Sequence, residues 1–270
     1  MPKIDLGHMS LFYLQYGEGP DILWIPGGDN RGRDWAPQIG AFRNKFRNTT
    51  LDPRGVGETE VREPPPWTIA DFARDCAALI ERVCTPPVFA VGLSMGSFIV
   101  QQLALDYPAL LRCAIPMGTA ARATGYLREW MVAEVEFRRA GLRLGRAFAI
   151  THYGAYMYPP EVLGDDKKWA EVRSFVADSY GERDGEMLSA QWQACIDFDS
   201  LGRLAGCQVP MHVIAFSHDL QTPPARGLEV ANAAPDGHFH LLEGLGHLSI
   251  NGHRPDAVNE CIDQIIRQYL

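Results

Sequence analysis

The stretch Val88-Phe89-Ala90-Val91-Gly92-Leu93-Ser94-Met95-Gly96-Ser97-Phe98-Ile99-Val100 changes its hydrophobic period at a serine flanked by glycines. Up to Gly92 it is a short unbroken apolar run, the pattern of a strand buried on both faces. From Phe98 the apolar residues continue through Val100, Leu103 and Leu105 at helical spacing until Pro108 stops them. Between the two lies Gly92-Leu93-Ser94-Met95-Gly96, a G-x-S-x-G sequence in the strand-turn-helix setting that lifts a serine hydroxyl clear of the backbone. Glycines are needed at Gly92 and Gly96 because strand, turn and helix crowd together there. The helix that opens at the turn adds backbone donors and a partial positive charge beside a reacting carbonyl. Without those flanks the motif would be only a glycine-rich turn; with them, Ser94 reads as a nucleophile.

A serine hydroxyl is a weak nucleophile and needs a base that a third group orients. Eight histidines compete for that part. His247, in Gly244-Leu245-Gly246-His247-Leu248, follows the last predicted strand and so falls on a loop at the same carboxyl edge of the sheet as Ser94. His238 and His240 share one strand face, but no third metal ligand accompanies them, and no metal is expected. His152 and His218 are the others that could approach a pocket. For the acid, Asp219 lies just after the strand Met211 to Phe216, and the order Ser94, Asp219, His247 places nucleophile, acid and base in the sequence this architecture requires. Asp219 also precedes Thr222-Pro223-Pro224, where an aspartate could serve simply to cap a helix. Glu243 and Asp236 are weaker alternatives. Two backbone donors must await the oxyanion. They are taken to be the amides of Met95, after the nucleophile, and Gly28, on the loop after strand Asp21 to Ile25, with Gly27 as the alternative.

Outward from this centre, strand-like and helix-like periods alternate, as expected of a mostly parallel sheet covered by helices on both faces. Strands are predicted over Met9 to Tyr16, Asp21 to Ile25, Asn48 to Leu51, Val88 to Gly92, Cys113 to Met117, Met211 to Phe216 and His238 to Leu242. Helices are predicted over Trp35 to Phe46, Ile69 to Val83, Ala225 to Ala233 and Pro255 to Tyr269. From Thr119 to Leu201 the alternation pauses and helical patterns dominate, including Tyr126 to Phe137 and Trp169 to Tyr180. The expected organisation is therefore a core of residues 1–118 and 202–270 with a helical cap inserted at 119–201. Within the cap, Trp130, Met131, Met157, Trp169 and Trp192 suggest a mostly apolar cavity, with Trp130, Met157 and Trp192 the candidates to touch substrate. Arg122 and Arg128 could meet a substrate carboxylate, although solvated surface positions suit them better.

The composition excludes several function classes. At 46% hydrophobic and 21% charged, the chain can bury a large core and is not disordered. Its formal charge of −8, with both signs interspersed, lacks the basic footprint of a nucleic-acid binder. No apolar run is long enough to span a membrane, and the first residues do not resemble a signal peptide. The six cysteines are scattered without C-x-x-C spacing, so they read as buried thiols in a reducing, cytoplasmic compartment. Asp52-Pro53-Arg54-Gly55-Val56-Gly57 lacks the lysine and spacing of a phosphate-binding loop and reads as structural.

This constellation resembles the α/β-hydrolase superfamily along essentially the whole chain. Within it, Trp35-Ala36-Pro37-Gln38, Asp52-Pro53-Arg54-Gly55, the Ser94 motif and His218-Asp219 followed by Thr222-Pro223 look most like 3-oxoadipate enol-lactonases and related small bacterial esterases. The resemblance implies the α/β-hydrolase fold and hydrolysis of a small ester or lactone without a cofactor. Two departures stand out: Pro26-Gly27 replaces the His-Gly of many relatives, and Ser97 stands where a further glycine often follows Gly96. The same triad serves C–C, amide and carbamate hydrolases, and the fold also supports non-catalytic ligand binding, so fold alone does not choose among them. Oligomeric state is not legible in the sequence.

Overall fold

The computed structural model describes residues 2–179 and 185–270. In chain order the elements are β1 (Lys3–Asp5), β2 (Met9–Tyr16), β3 (Asp21–Ile25), α1 (Ala36–Phe42), β4 (Arg47–Leu51), β5 (Glu60–Val61), α2 (Ile69–Val83), β6 (Val88–Leu93), α3 (Met95–Asp106) and β7 (Leu111–Met117). Then come α4 (Gly125–Arg139), α5 (Arg146–Met157), α6 (Pro160–Leu163), α7 (Asp166–Ser179), α8 (Gly185–Ile196), β8 (Met211–Phe216), α9 (Pro224–Ala233), β9 (Gly237–Leu242) and α10 (Pro255–Ile266). The sheet runs β1-β2-β4-β3-β6-β7-β8-β9, with β5 paired to β2. From β4 onward along this order every pair is parallel, while β1, β2 and β5 form an antiparallel end. This is the α/β-hydrolase fold.

Burial follows the sheet's construction. Strands β3, β6 and β8 are buried at every position, and their runs Asp21-Ile22-Leu23-Trp24-Ile25, Val88 to Leu93 and Met211 to Phe216 show why they read as continuous apolar segments. Helix α2 instead buries one face through Phe72, Ala73, Cys76, Leu79 and Ile80. Its start is fixed by a capping box, in which Thr68 Oγ1 accepts the Asp71 amide and the Asp71 carboxylate accepts the Thr68 N–H.

Most boundaries fall where periodicity placed them, and the differences have local causes. The helix predicted from Trp35 begins one residue later because Gly32–Trp35 is a single 3-10 turn, and it ends at Phe42, after which the chain tightens into β4. The last helix stops at Ile266 and gives way to a 3-10 turn over Arg267–Tyr269. Two short edge strands, β1 and β5, have too few residues to show a period. Between β7 and β8 the described residues form the five helices α4 to α8, and Tyr180, the predicted end of one of them, lies outside the described residues. Among the described residues no helix is long and apolar enough to cross a membrane. The cysteines are free thiols, four of them buried.

The Asp52 to Gly57 loop is held by the protein itself. Asp52 accepts the amides of Gly32 and Glu58, and Arg54, 1% exposed, forms a buried ion pair with Asp75, which also meets His8.

At the other end of the sheet His212 stacks on His238, with ring centroids 4.3 Å apart. Its Nδ1 lies 3.0 Å from His240 Nε2, and its Nε2 lies 2.7 Å from the Tyr269 hydroxyl. No metal-binding group of three ligands occurs there or elsewhere among the described residues. Burial, reinforced by the neighbouring imidazoles, lowers the His212 pKa to about 4 from 6.5. Between those values the unfolded chain holds a proton here that the folded chain does not, so stability falls as pH drops through that window and is unaffected by this group above it. On the order of 2–3 kcal/mol should be lost by pH 4. Melting temperatures measured from pH 7.5 to 4.5 should decline less steeply for His212→Gln than for the parent chain; identical slopes would remove His212 as the cause.

Candidate active site

Ser94 sits at the end of β6 with φ 57° and ψ −122°, one of two non-glycine residues with positive φ among the described residues. That conformation is strained for an L-residue and is held by the surrounding backbone. The Ser94 amide donates to the Met117 carbonyl on β7, and the Ser94 carbonyl accepts the Ser97 amide at 2.8 Å and the Ser97 hydroxyl at 2.5 Å. A Cβ on Gly92 would lie 2.2 Å from the Gly96 carbonyl oxygen, and one on Gly96 would lie 2.2 Å from the Ile25 carbonyl oxygen. Neither position tolerates any other residue without backbone movement. Ser97, which departs from the glycine of many relatives, extends the support: its hydroxyl bonds Thr119, and Gln101 then ties Thr119 to Ser200.

Helix α3 begins at Met95, so the Met95 amide is among the N–H groups that a helix leaves without an internal acceptor. The facing loop turns sharply after β3, with Asn30 N–H donating to the Gly27 carbonyl and Asp29 at φ 68°. Gly27 lies against Ser94, while Gly28 lies under the Trp192 ring, where an added Cβ would meet the ring at 3.3 Å. Beside Trp192 on α8, fully buried Gln191 accepts the Asp29 amide at 2.9 Å and donates to the Arg54 carbonyl.

His247 and Asp219 are each 2% exposed, and the imidazole and carboxylate are joined at 2.6 Å between Nδ1 and Oδ2. Asp219 follows β8; Oδ1 accepts the amides of Gln221 and Thr222, and Oδ2 accepts the Thr222 hydroxyl and faces His247. Asp219 therefore closes the turn before α9 and does not cap that helix, whose N-cap is Pro223 with no side-chain bond. The His247 loop is fastened by the Leu248 amide, which donates to the Met157 carbonyl, and by Ser249, whose hydroxyl accepts the Gly246 amide. Gly118, at the end of β7 with φ 50°, makes room for the pair: a Cβ there would come within 3.1 to 3.3 Å of the imidazole and of Asp219 Oδ2. Glu243 is exposed, and Asp236 is half-exposed and turned to His238.

Ser94, His247 and Gly28 line one cavity of about 500 Å³, counting the part open to solvent. Trp130, Met157 and Trp192 line it too, and Trp130 meets Trp192 edge-on at 5.1 Å. Met95 is not among the residues that line the cavity, and its side chain is buried in the core. Arg122 and Arg128 stay at the surface, Arg122 beside Asp199. The arginine at the cavity is Arg138, from the last turn of α4, with Tyr153 of α5 beside it. Arg138 Nη2 donates to Glu134 at 3.0 Å, and the Tyr153 hydroxyl also reaches Glu134 at 3.1 Å. Burial, with the Glu134 charge adding to it, raises the Tyr153 pKa, so its hydroxyl keeps its proton near neutrality. His152 stacks on Phe148 and meets Tyr156 edge-on, and is not among the residues that line the cavity; His218 is exposed.

BpoC of Mycobacterium tuberculosis, provisionally described as a non-heme bromoperoxidase, is 32% identical over 255 residues, covering 93% of this chain and 95% of BpoC. Its crystal structure superposes with a TM-score of 0.89 and 30% identity over 96% of either chain. RutD of Azorhizobium caulinodans, provisionally described as a carbamate hydrolase, is 26% identical over 97% of each protein. An enol-lactonase from Burkholderia xenovorans shares the fold, with a TM-score of 0.87 at 24% identity over 98% of this chain and 100% of its own. Residues 22–261 match the sequence model of the Alpha/beta hydrolase family, and this chain belongs to that family.

Proposed function

We propose that this chain is a serine hydrolase that cleaves a small carboxylic ester or lactone through an acyl-enzyme intermediate. The observation that carries this reading is the buried Asp219–His247 pair at 2.6 Å opening on the same cavity as a serine held at positive φ. In the proposed cycle His247 takes the Ser94 proton as the hydroxyl attacks the carbonyl, and Asp219 fixes the imidazole orientation and stabilises its cation. The amides of Met95 and Gly28 receive the oxyanion. His247 then protonates the leaving alcohol or enol and activates the water that frees the acid. These steps need no group beyond the chain's own residues and water. Residues 119–201 act as the cap over the core formed by 1–118 and 202–270, and the Trp130, Met157 and Trp192 side chains favour small acyl groups.

A fluorophosphonate probe should label Ser94 stoichiometrically, located by peptide mass, and a panel of lactones, short esters and amides should show turnover of small esters or lactones. Efficient hydrolysis of emulsified long-chain lipid would contradict a small covered pocket. The similarity to RutD favours carbamates as the second substrate class for the same residues, and faster turnover of a carbamate added to that panel would decide for them.

Gln191 is a positioning residue in this scheme, since it holds the amide after Gly28. Gln191→Leu leaves the Asp29 amide and the Arg54 carbonyl without that partner. We expect kcat to fall about 10- to 100-fold with KM within about threefold, as for a donor displaced from the transition state alone. A merely structural glutamine would lower the melting temperature and leave kcat of the folded fraction unchanged.

A further inference from the structure

The cavity is walled in part by the apolar side chains of Leu93, Trp130, Met157, Trp192 and Leu248, and two of its residues carry buried N–H groups with no acceptor among the described residues: Trp192 through Nε1 and Arg138 through Nε. Two further polar groups around it are used internally. Trp130 Nε1 donates to the Tyr156 hydroxyl at 3.2 Å, and Gln221 Nε2 donates to Met157 Sδ at 3.3 Å. Buried donors without acceptors are destabilising and rare in folded chains, so two in one cavity point to an acceptor that arrives with a ligand.

We propose that Trp192 and Arg138 form a subsite for an uncharged oxygen acceptor, a ketone or second ester carbonyl, on the part of the substrate that Ser94 does not attack. The subsite deepens the serine-hydrolase reading and rests on it. Charge selects the neutral acceptor. The Arg138 guanidinium is already paired with Glu134, which is 8% exposed and also receives the Tyr153 hydroxyl. A substrate carboxylate would bring a second anion to the same guanidinium in a poorly solvated space, where like charges repel strongly. A carbonyl oxygen accepts from Arg138 Nε and from the uncharged indole of Trp192 without disturbing that pair. The site therefore selects by hydrogen bonding, and an analogue that lacks the acceptor leaves the donors unpaired.

Three aryl esters with one leaving group and one acyl length test this: chains ending in a methyl ketone, in the corresponding alkyl group, and in a carboxylate. With the parent enzyme the ketone should exceed the alkyl ester in kcat/KM by about tenfold, chiefly through KM, and the carboxylate should be no better than the alkyl ester. In Trp192→Phe and in Arg138→Met the ketone-to-alkyl ratio should fall towards one, whatever the absolute rates. A parent ratio of one, a carboxylate that is best, or a ratio kept in both variants overturns the subsite. Because the first two comparisons use the parent enzyme alone, poor folding of a variant does not rescue it. If no ester turns over and the phosphonate leaves Ser94 unlabelled, the hydrolase reading fails separately. The subsite is then decided by tryptophan-fluorescence titration with the free ketone, alkane and carboxylate, where equal affinities refute it.

Discussion

Ser94→Ala should lower kcat/KM by at least about 10³-fold for any ester the parent chain turns over, the scale expected when a covalent nucleophile is removed. The fold should be unaffected. The bonds that hold the turn are made by its backbone: the Ser94 amide to Met117, and the Ser94 carbonyl from Ser97. Alanine keeps all of them and adopts the same strained φ at the same cost as serine, so the melting temperature should move by no more than an exposed substitution moves it, about 0.5 kcal/mol in stability. Rate and thermal unfolding measured on the same preparation make the test. Retained activity with an unaltered substrate profile would move the nucleophile elsewhere; loss of activity together with loss of fold would mean that the hydroxyl has a structural role not evident in the turn.

What made Ser94 legible before the structure was the locality of its signal. The strand, both glycines and the start of the helix all lie within thirteen residues; Gly92 is explained by a clash inside the motif, with Gly96, and Gly96 by one with Ile25 at the end of β3. Asp219 and His247 were legible differently, through their places after successive strands, because parallel topology brings successive strand ends to one edge. Gly118 shows where that reasoning stops. In the sequence it is only the residue that ends a strand; its reason is the His247–Asp219 pair, more than a hundred residues further on. Gln191 and Arg138 were missed for a similar reason. Helical spacing within 119–201 told that helices form there but not which face meets the sheet, and Glu134 with Arg138 at i, i+4 has the pattern of a solvated pair. Arg128, on the same helix, and Arg122, just before it, were considered in its place because the order of residues does not reveal which turn borders the cavity.

Asp219→Asn should lower kcat by about 10³- to 10⁴-fold while KM stays within a few-fold, about 4 to 5.5 kcal/mol of transition-state stabilisation. The carboxylate accepts from four donors in the folded chain: the amides of Gln221 and Thr222, the Thr222 hydroxyl and His247 Nδ1. An amide has one accepting oxygen. If that oxygen remains on the two backbone amides, as the turn demands, its NH₂ group faces His247 and favours the imidazole tautomer with the proton on Nε2, which cannot take the Ser94 proton. If the amide flips instead, the NH₂ meets two N–H donors and the turn loses its bonds, which would show as a stability loss of about 1–3 kcal/mol. Measuring kcat, KM and the melting temperature together separates the cases. A fall in kcat with little change in melting temperature marks the tautomer; a large fall in both marks the turn. A near-normal kcat would exclude Asp219 as the orienting acid, and neither exposed Glu243 nor Asp236, turned towards His238, is placed to replace it without movement of the loop.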